Sequence, residues 1–535
     1  MFDHKTIKTL LPTLYLILAL TLAGAYLYLF TDSPVFWPGF IAMIFFYGLI
    51  FYMGTYAATM RQSGSGADDI LLAGRSIPLW IGIFTMSATW VGGGYINGAA
   101  EYTYDSNYGL MWVQAPWGYG LSLIIGGLFF ARKMRRFRFK TILDPLSQRY
   151  GKKMTVLLYF PALLGEIFWT AAILTALGAT FATILGLDIR TAIVMSSLIA
   201  IAYTAIGGMW AVALTDVVQL CLLIFGLIMV IPFALDQVGG WDLVWSKYQS
   251  NMGDMAHFLP TKEALGDYYY NWWDFALLLV FGGIPWQVYF QRVLSSKNEK
   301  TAMRLSIIAG FVCILAAIPP VMIGMIGQSV ESWEAFGAPG PPENSALILP
   351  YVVRYLTPSV VATIGLGAIA AAVMSSVDSS ILSASSMTSW NVYRPIFKPK
   401  VSNEGLAKVI KRCIWIIGIA ATLLALNITS VYALWFLCSD FVYVLLFPQL
   451  VTALFFKKAN FIGSLAGFIV SFILRFGGGD ATLGIPILLD YPMTQGGEVL
   501  FPFRTFAMAS GMITIFVVSL ITQKWYPPKP LKIVT

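Results

Sequence analysis

Charge is what this 535-residue chain has least of: 11% of its residues are Asp, Glu, Lys or Arg, against about 25% in a soluble domain. That deficit excludes a water-soluble core. Histidine is limited to His4 and His257, both outside the apolar runs, and the four cysteines (Cys221, Cys313, Cys413, Cys438) fall in or beside those runs. A transition-metal centre built on imidazole or thiolate and a disulfide framework are both unsupported. No low-complexity tail, linker or solenoid-length repeat divides the chain. Catalytic signatures are missing too. Gly92 to Gly94 form a glycine cluster, but without the strand–turn–helix context of a phosphate-cradling loop, so no enzyme is indicated.

What is present is hydrophobic: 58% of residues are apolar and 15% aromatic. Fourteen runs approach the roughly 20 residues needed to span hydrocarbon: 8–30, 35–58, 77–99, 108–131, 154–186, 190–209, 212–234, 273–291, 304–327, 358–388, 406–427, 430–455, 460–475 and 503–523. They predict an all-α polytopic membrane protein of about 14 transmembrane helices. The first run follows two lysines without a small-residue cleavage site, so it is expected to be a retained helix.

The net charge of +8 has a topological explanation. With the N-terminus inside and the runs alternating, the inner side holds Lys5, Lys8, Arg61, Arg75 and nine cations between Arg132 and Lys153. It also holds Arg292, Lys297, Lys300, Arg304, six cations from Arg394 to Arg412, and Lys457, Lys458, Lys524, Lys529 and Lys532. These make 28 of the 34 basic residues. The positive-inside rule selects this orientation, with both termini cytoplasmic in the cell membrane, and nothing points to nucleic acid. Two polar loops, 235–272 and 328–357, fall outside.

The stretch "SATWVGGGYINGAA" (87–100) places three glycines mid-span, just after Trp90. Each glycine costs about 1 kcal/mol relative to alanine in a helix interior, so the helix is expected to open. A counterpart occurs in "WDFALLLVFGGIPWQVYFQR" (273–292), where Gly282, Gly283 and Pro285 interrupt a second run beside Trp286. Four runs separate the two breaks, so each can open a five-helix repeat, and an odd repeat length inverts the second unit. Paired breaks of this kind mark a midplane binding site in secondary transporters, where unwound backbone groups can meet a ligand. Close helix packing is the alternative use of such glycines.

"TWVGGGYINGAAE", "FPALLGEIFW", "GGIPWQVYFQRVLSS" and "AAVMSSVDSSILSASSM" resemble the sodium/solute symporter family, and within it the choline-carrying members, from about residue 36 to 523. The resemblance implies a single transmembrane transporter domain over 1–535: two peripheral helices in 8–58, an inverted-repeat core of five plus five helices in 77–455, and two C-terminal helices in 460–523. It implies sodium-coupled import of a quaternary amine by alternating access. It also implies chloride dependence, although no anion site is evident. Cys438 departs from a serine in those members, the run 8–30 is additional, and their long cytoplasmic tail does not follow residue 523.

A choline head group has no N–H to donate, and its charge is spread over methyl groups. Aromatic faces suit it, at about 0.5–2 kcal/mol each when desolvated. Trp90, Tyr119, Trp169 and Trp286 match the family's aromatic cage. Packing is the competing role for any single ring, and Trp112, Trp117, Trp272 and Trp273, nearer span ends, are assigned to it. Betaine and carnitine are alternative substrates, but their carboxylates want a cation and the sequence offers no lysine or arginine candidate beside the breaks.

In 358–388, Ala372, Ser375, Ser376, Ser379, Ser383 and Ser386 recur at helical spacing and draw a stripe on one face. Most of those hydroxyls can simply bridge helices. Ser375 and Ser376 match the hydroxyl ligands of the family's sodium site, which the carbonyls of Ser87, Trp90 and Ala372 would complete. Intramembrane acids cost about 2.5–3.5 kcal/mol at a helix centre. Asp216 matches an acid near the sodium site, Asp378 is a candidate for coupling or a second ion site, and Glu166 and Asp440 can each pair with a cation or hold a proton. A transporter-like sensor or receptor and a channel are the alternatives from other classes. With few residues after the last run and two breaks that suit occlusion, both are less favoured. The assembly state, a homodimer included, stays open.

Overall fold

The computed structural model describes residues 4–59, 71–206, 209–428 and 430–534. Arg61, one of the inner cations counted above, lies outside them. Each of the fourteen apolar runs coincides with helical chain, and ten of the described helices are long and apolar enough to cross a membrane. In chain order the principal helices are α1 (His4–Phe30), α2 (Trp37–Thr59), α3 (Leu79–Trp90), α4 (Gly93–Tyr104), α5 (Ala115–Ile125), α6 (Lys152–Leu185), α7 (Ile189–Ile206), α8 (Met209–Gln237) and α9 (Tyr268–Gly282). They continue with α10 (Gln287–Ser295), α11 (Glu299–Ala316), α12 (Ile318–Gln328), α13 (Ser359–Met387), α14 (Asn403–Ala425), α15 (Val431–Phe441), α16 (Phe447–Phe455), α17 (Phe461–Gly477) and α18 (Phe503–Thr522).

Both expected breaks are present. α3 stops at Trp90 and α4 resumes at Gly93, with Gly92 in extended backbone between them. α9 stops at Gly282, and α10 resumes after an extended Trp286. Glycine is required here by proximity. A Cβ on Gly92 would run into the Ser376 hydroxyl of α13, and one on Gly93 into Val373 of the same helix. At the second break, a Cβ on Gly282 would lie 2.8 Å from the carbonyl oxygen of Ser439 in α15. The breaks therefore sit where unbroken neighbouring helices press against bare backbone.

α6 and α13 form the centre, with Ala172, Leu174, Ala176, Leu177, Ile369 and Val373 all fully buried. The periphery is apolar in the opposite sense: Leu14, Leu18 and Leu22 of α1, Phe225 of α8, Leu315 of α11 and Leu423 of α14 are all exposed. Such a surface suits lipid rather than water. The run at 304–327 is divided, because Pro319 and Pro320 start a new helix at Ile318. The polar loop 235–272 carries a helix of its own, Trp241–Met252.

At one end of the bundle, α17 and α18 are held to the centre by buried charge. Arg475 donates to Asp440 (Nε to Oδ2, 2.6 Å) and to Asp480 (2.6 Å). Arg504 donates to the same Asp440 oxygen (3.1 Å) and approaches Asp274 of α9 at 3.7 Å. Asp274 also accepts the amides of Arg504 and Thr505. Asp440 is thus paired with two cations. A buried pair is strongly destabilised when one partner is removed, because the survivor keeps an uncompensated charge. Arg475→Gln should cost about 3–5 kcal/mol, read as a lower melting temperature of the purified protein. Adding Asp440→Asn should recover part of that loss, and an absence of recovery would mean that the two groups do not act as a pair.

Candidate functional site

The first break ends α3 on Trp90, whose ring is buried at the centre of an aromatic cluster. It stacks on Tyr119 of α5 (ring centroids 5.0 Å apart) and meets Trp169 of α6 at 5.8 Å and Trp286 at 6.1 Å. Trp169 and Trp286 meet edge to face at 5.6 Å. All four rings are at most 2% exposed. Trp286 is aimed by the second break, where its extended backbone lets the indole N–H donate to the Gly282 carbonyl at 2.6 Å. Tyr119 shares a hydroxyl hydrogen bond with Ser439 of α15. Residues far apart in sequence and carried by four different segments therefore form one cluster at the two breaks.

Beside the first break lies a cluster of hydroxyls and one acid. Ser375 donates to Asp216 of α8 (Oγ to Oδ1, 2.6 Å), and Thr85 donates to the other carboxylate oxygen. Ser376 donates to the Thr89 carbonyl at 3.1 Å and more weakly to that of Ala88 at 3.4 Å. Ser87 presents a buried hydroxyl with no partner, while its carbonyl accepts the Val91 amide at 2.7 Å. Ala372 is buried one turn before Ser376 on α13. The neighbourhood offers hard oxygen atoms, the donor type that Na⁺ prefers over nitrogen or sulfur. Asp378 points elsewhere: it accepts the Thr204 hydroxyl of α7 at 2.9 Å.

The profile of the sodium:solute symporter family matches residues 70–471. The chain belongs to the sodium:solute symporter family. Every candidate residue lies inside the matched stretch. The symporter is 48% identical over 496 residues to the High-affinity choline transporter 1 of Drosophila melanogaster, covering 91% of this chain and 79% of that one. It is 45% identical to the human protein of the same description, covering 92% and 87% of the two chains. Among solved structures, a Na⁺-coupled sialic acid symporter in a substrate-bound, outward-open state superposes with a TM-score of 0.74, 20% identity, and coverage of 93% and 99%. That likeness establishes the fold: an all-α inverted-repeat core in which each broken helix opens a five-helix unit. The symporter is a multi-pass membrane protein and not an enzyme.

The structure corrects the sequence reading of the cations. Arg292 was counted among the inner-loop basic residues, and no arginine was expected beside the breaks. Instead Arg292 is 1% exposed. It lies 3.8 Å from Asp216 and donates to the Ser379 hydroxyl and, at 3.4 Å, to the Val288 carbonyl. The cause is the second break, after which all nine residues of α10 are buried, carrying the charge inward to a partner. Glu166 accepts the Val288 amide at 3.3 Å, tying α6 to the start of α10.

Trp435 of α15 is the residue that sequence reasoning missed. Its ring lies 5.0 Å from Tyr119 and 5.7 Å from Tyr95, and its buried indole N–H has no partner, as is also true of Trp90. No sequence signal marked it: Gly94 of the first break only lies alongside, where a Cβ would stand in ordinary contact, 3.5 Å from the Trp435 indole nitrogen.

Gly92→Ala tests the close approach directly. The added methyl meets Ser376, and overpacking of this kind costs about 1–3 kcal/mol. Adding Ser376→Gly should restore much of the thermal stability by making room. A melting temperature unchanged by Gly92→Ala alone would show that the backbone gives way freely there.

Proposed function

We propose that this symporter imports choline with sodium, reading the quaternary ammonium by cation–π attraction at Trp90, Tyr119, Trp169 and Trp286. The observation that carries the reading is the meeting of these four rings at the two helix breaks. Support comes also from relatives described as choline transporters that are 45–48% identical across nine-tenths of the chain. Betaine and carnitine would ask for a cation, and Arg292, the buried cation nearest the breaks, is committed to Asp216 and Ser379.

In this reading sodium takes the hydroxyls of Ser375 and Ser376 with the carbonyls of Ser87, Trp90 and Ala372. Each hydroxyl donates its proton to an acceptor, Ser375 to Asp216 and Ser376 to the Thr89 carbonyl, and so keeps its lone pairs for the ion. Because Trp90 supplies both a ring to the substrate and a carbonyl to the ion, occupation of one position steadies the backbone of the other. Asp216 accepts the Ser375 proton and is itself balanced by Arg292, 3.8 Å away. A coupling role for Asp378 is weaker here, because it faces α7. Chloride dependence, implied by the family resemblance, travels with this reading and is tested by replacing chloride with gluconate.

We place both termini in the cytoplasm. The C-terminal segment lies against the most basic loop: the Val534 amide donates to the Phe137 carbonyl, and the Lys532 amide to Gln148. The single transporter domain with peripheral 8–58, core 77–455 and C-terminal 460–523 remains the layout. A homodimer is the assembly to test by cross-linking in membranes.

Two outcomes are expected. A ligand that binds only the folded state adds about 2.7 kcal/mol of stability at one hundred times its dissociation constant. Sodium should stabilise the wild type in this way and leave Ser375→Ala/Ser376→Ala unmoved although folded; an unchanged sodium shift in the double variant overturns the ion site. For the cage, calorimetric choline binding should weaken moderately in Trp90→Phe. In Trp90→Leu the loss should approach thirtyfold, the equivalent of about 2 kcal/mol for one desolvated ring contact. Equal affinities in two well-folded variants would mean that the ring does not read the charge.

A further inference from the structure

Away from the transport site, where the bundle carries its densest basic charge, α13 continues beyond Met387 as a wider helical turn, Thr388–Phe397. A cavity of about 510 Å³ opens between this turn and the start of α6. Three cations line it: Lys140, Lys152 and Arg394. Two of them are held over one ring, with Lys140 Nζ 4.2 Å and Arg394 Cζ 4.4 Å from the centroid of Trp390. Among the described residues the single carboxylate in the lining is Asp144, which is occupied by its own surroundings. It accepts the Lys140 amide at 2.6 Å, the Thr141 hydroxyl at 3.1 Å and the Asn391 side-chain amide at 3.0 Å. Among the described residues no carboxylate lies within ion-pair distance of Lys152 or Arg394. Ile396 of the lining is 47% exposed, and Phe397, next to it in the chain, is 68% exposed.

A cup of cations preorganised by an aromatic ring, with exposed apolar side chains beside it at the end of a membrane-length helix, combines two demands. It offers charge to a phosphate and apolar surface to what the phosphate carries. Basic pockets at the ends of membrane helices take the head groups of anionic lipids. We propose that this cavity is a binding site for the phosphodiester head group of an anionic glycerophospholipid, with its glycerol and upper acyl chains along Ile396 and Phe397. The site joins elements that matter to transport. Asn391 and Thr388 belong to the continuation of α13, the helix of Ser375 and Ser376, and they bond to Asp144 and to Tyr159 of α6 (2.8 Å) respectively. A bound head group would add a third tie across the same seam.

The test uses the full chain in nanodiscs of phosphatidylcholine with and without phosphatidylglycerol, with co-purified lipid counted by native mass spectrometry. Lys152→Gln/Arg394→Gln should retain phosphatidylglycerol about thirtyfold less than the wild type. Trp390→Leu, which keeps every charge but removes the ring beneath two of them, should also lose retention. Lys408→Gln/Lys411→Gln removes the same charge from exposed positions on α14 and should behave as wild type. Wild-type retention in the cavity variant, or equal loss in the α14 control, overturns the proposal. Thermal shifts in detergent separate the two sources of phosphate. Phosphatidylglycerol should stabilise the wild type where inorganic phosphate does not, and equal stabilisation by both would make the ligand a free anion and overturn the lipid assignment.

Discussion

The contact on which the rest depends is the one between bare backbone at the first break and α13. In a bilayer an unwound peptide has no water to satisfy it, so a break survives only where protein surrounds it. Here Gly92 and Gly93 let α13 come so close that a single added methyl would strike Ser376 or Val373. The Ser376 hydroxyl in turn caps carbonyls that the interrupted α3 leaves free. Everything placed by that approach follows: Trp90 at the end of α3, Tyr119 and Trp169 against its ring, and Ser375 beside Asp216.

The second constraint is that buried charge must be matched. Asp216 and Arg292 are each 1% exposed or less and face one another across the centre of the molecule. Near one end, Asp440 serves two arginines from α17 and α18. Arg475 and Arg504 both lie beyond the family-matched stretch, which ends at residue 471, yet they hold α15, the helix that carries Trp435 and Ser439. The helices appended after the repeat core are therefore joined to it through ion pairs as well as apolar packing. Breaking either set strands a charge in low dielectric, so these pairs lock relative helix positions more than they add net stability.

Much of this architecture was legible in the residues. Apolar runs of membrane-spanning length have only helices available to them, so run positions translate directly into elements. Glycine clusters inside such runs are costly enough to announce a break, and both breaks occur where "GGG" and "GGIP" stand. Trp90 and Trp286 stand beside the breaks, Tyr119 and Trp169 were indicated by the family resemblance, and the four rings lie together. Trp435 was not legible, because nothing local distinguishes it from the other aromatic residues of apolar spans. Its place is shown only by the rings it meets on other helices, Tyr119 and Tyr95. Arg292 was misread because its sequence context resembles the start of a basic loop, and only the inward course of α10 shows that it is buried.

The sequence by itself determined what depends on local composition: the membrane as solvent, the place of the apolar helices, the two interruptions and the family. Hydrophobicity and helix propensity act over neighbouring residues, so a linear reading reaches them. The tertiary structure alone decided which partners meet. Asp216 faces Arg292 and Ser375 while Asp378 faces Thr204, although Asp378 and Ser375 are less than one turn apart on α13. A helix displays successive residues about 100° apart, so the choice of neighbour belongs to the packing around it, and to no stretch of sequence on its own.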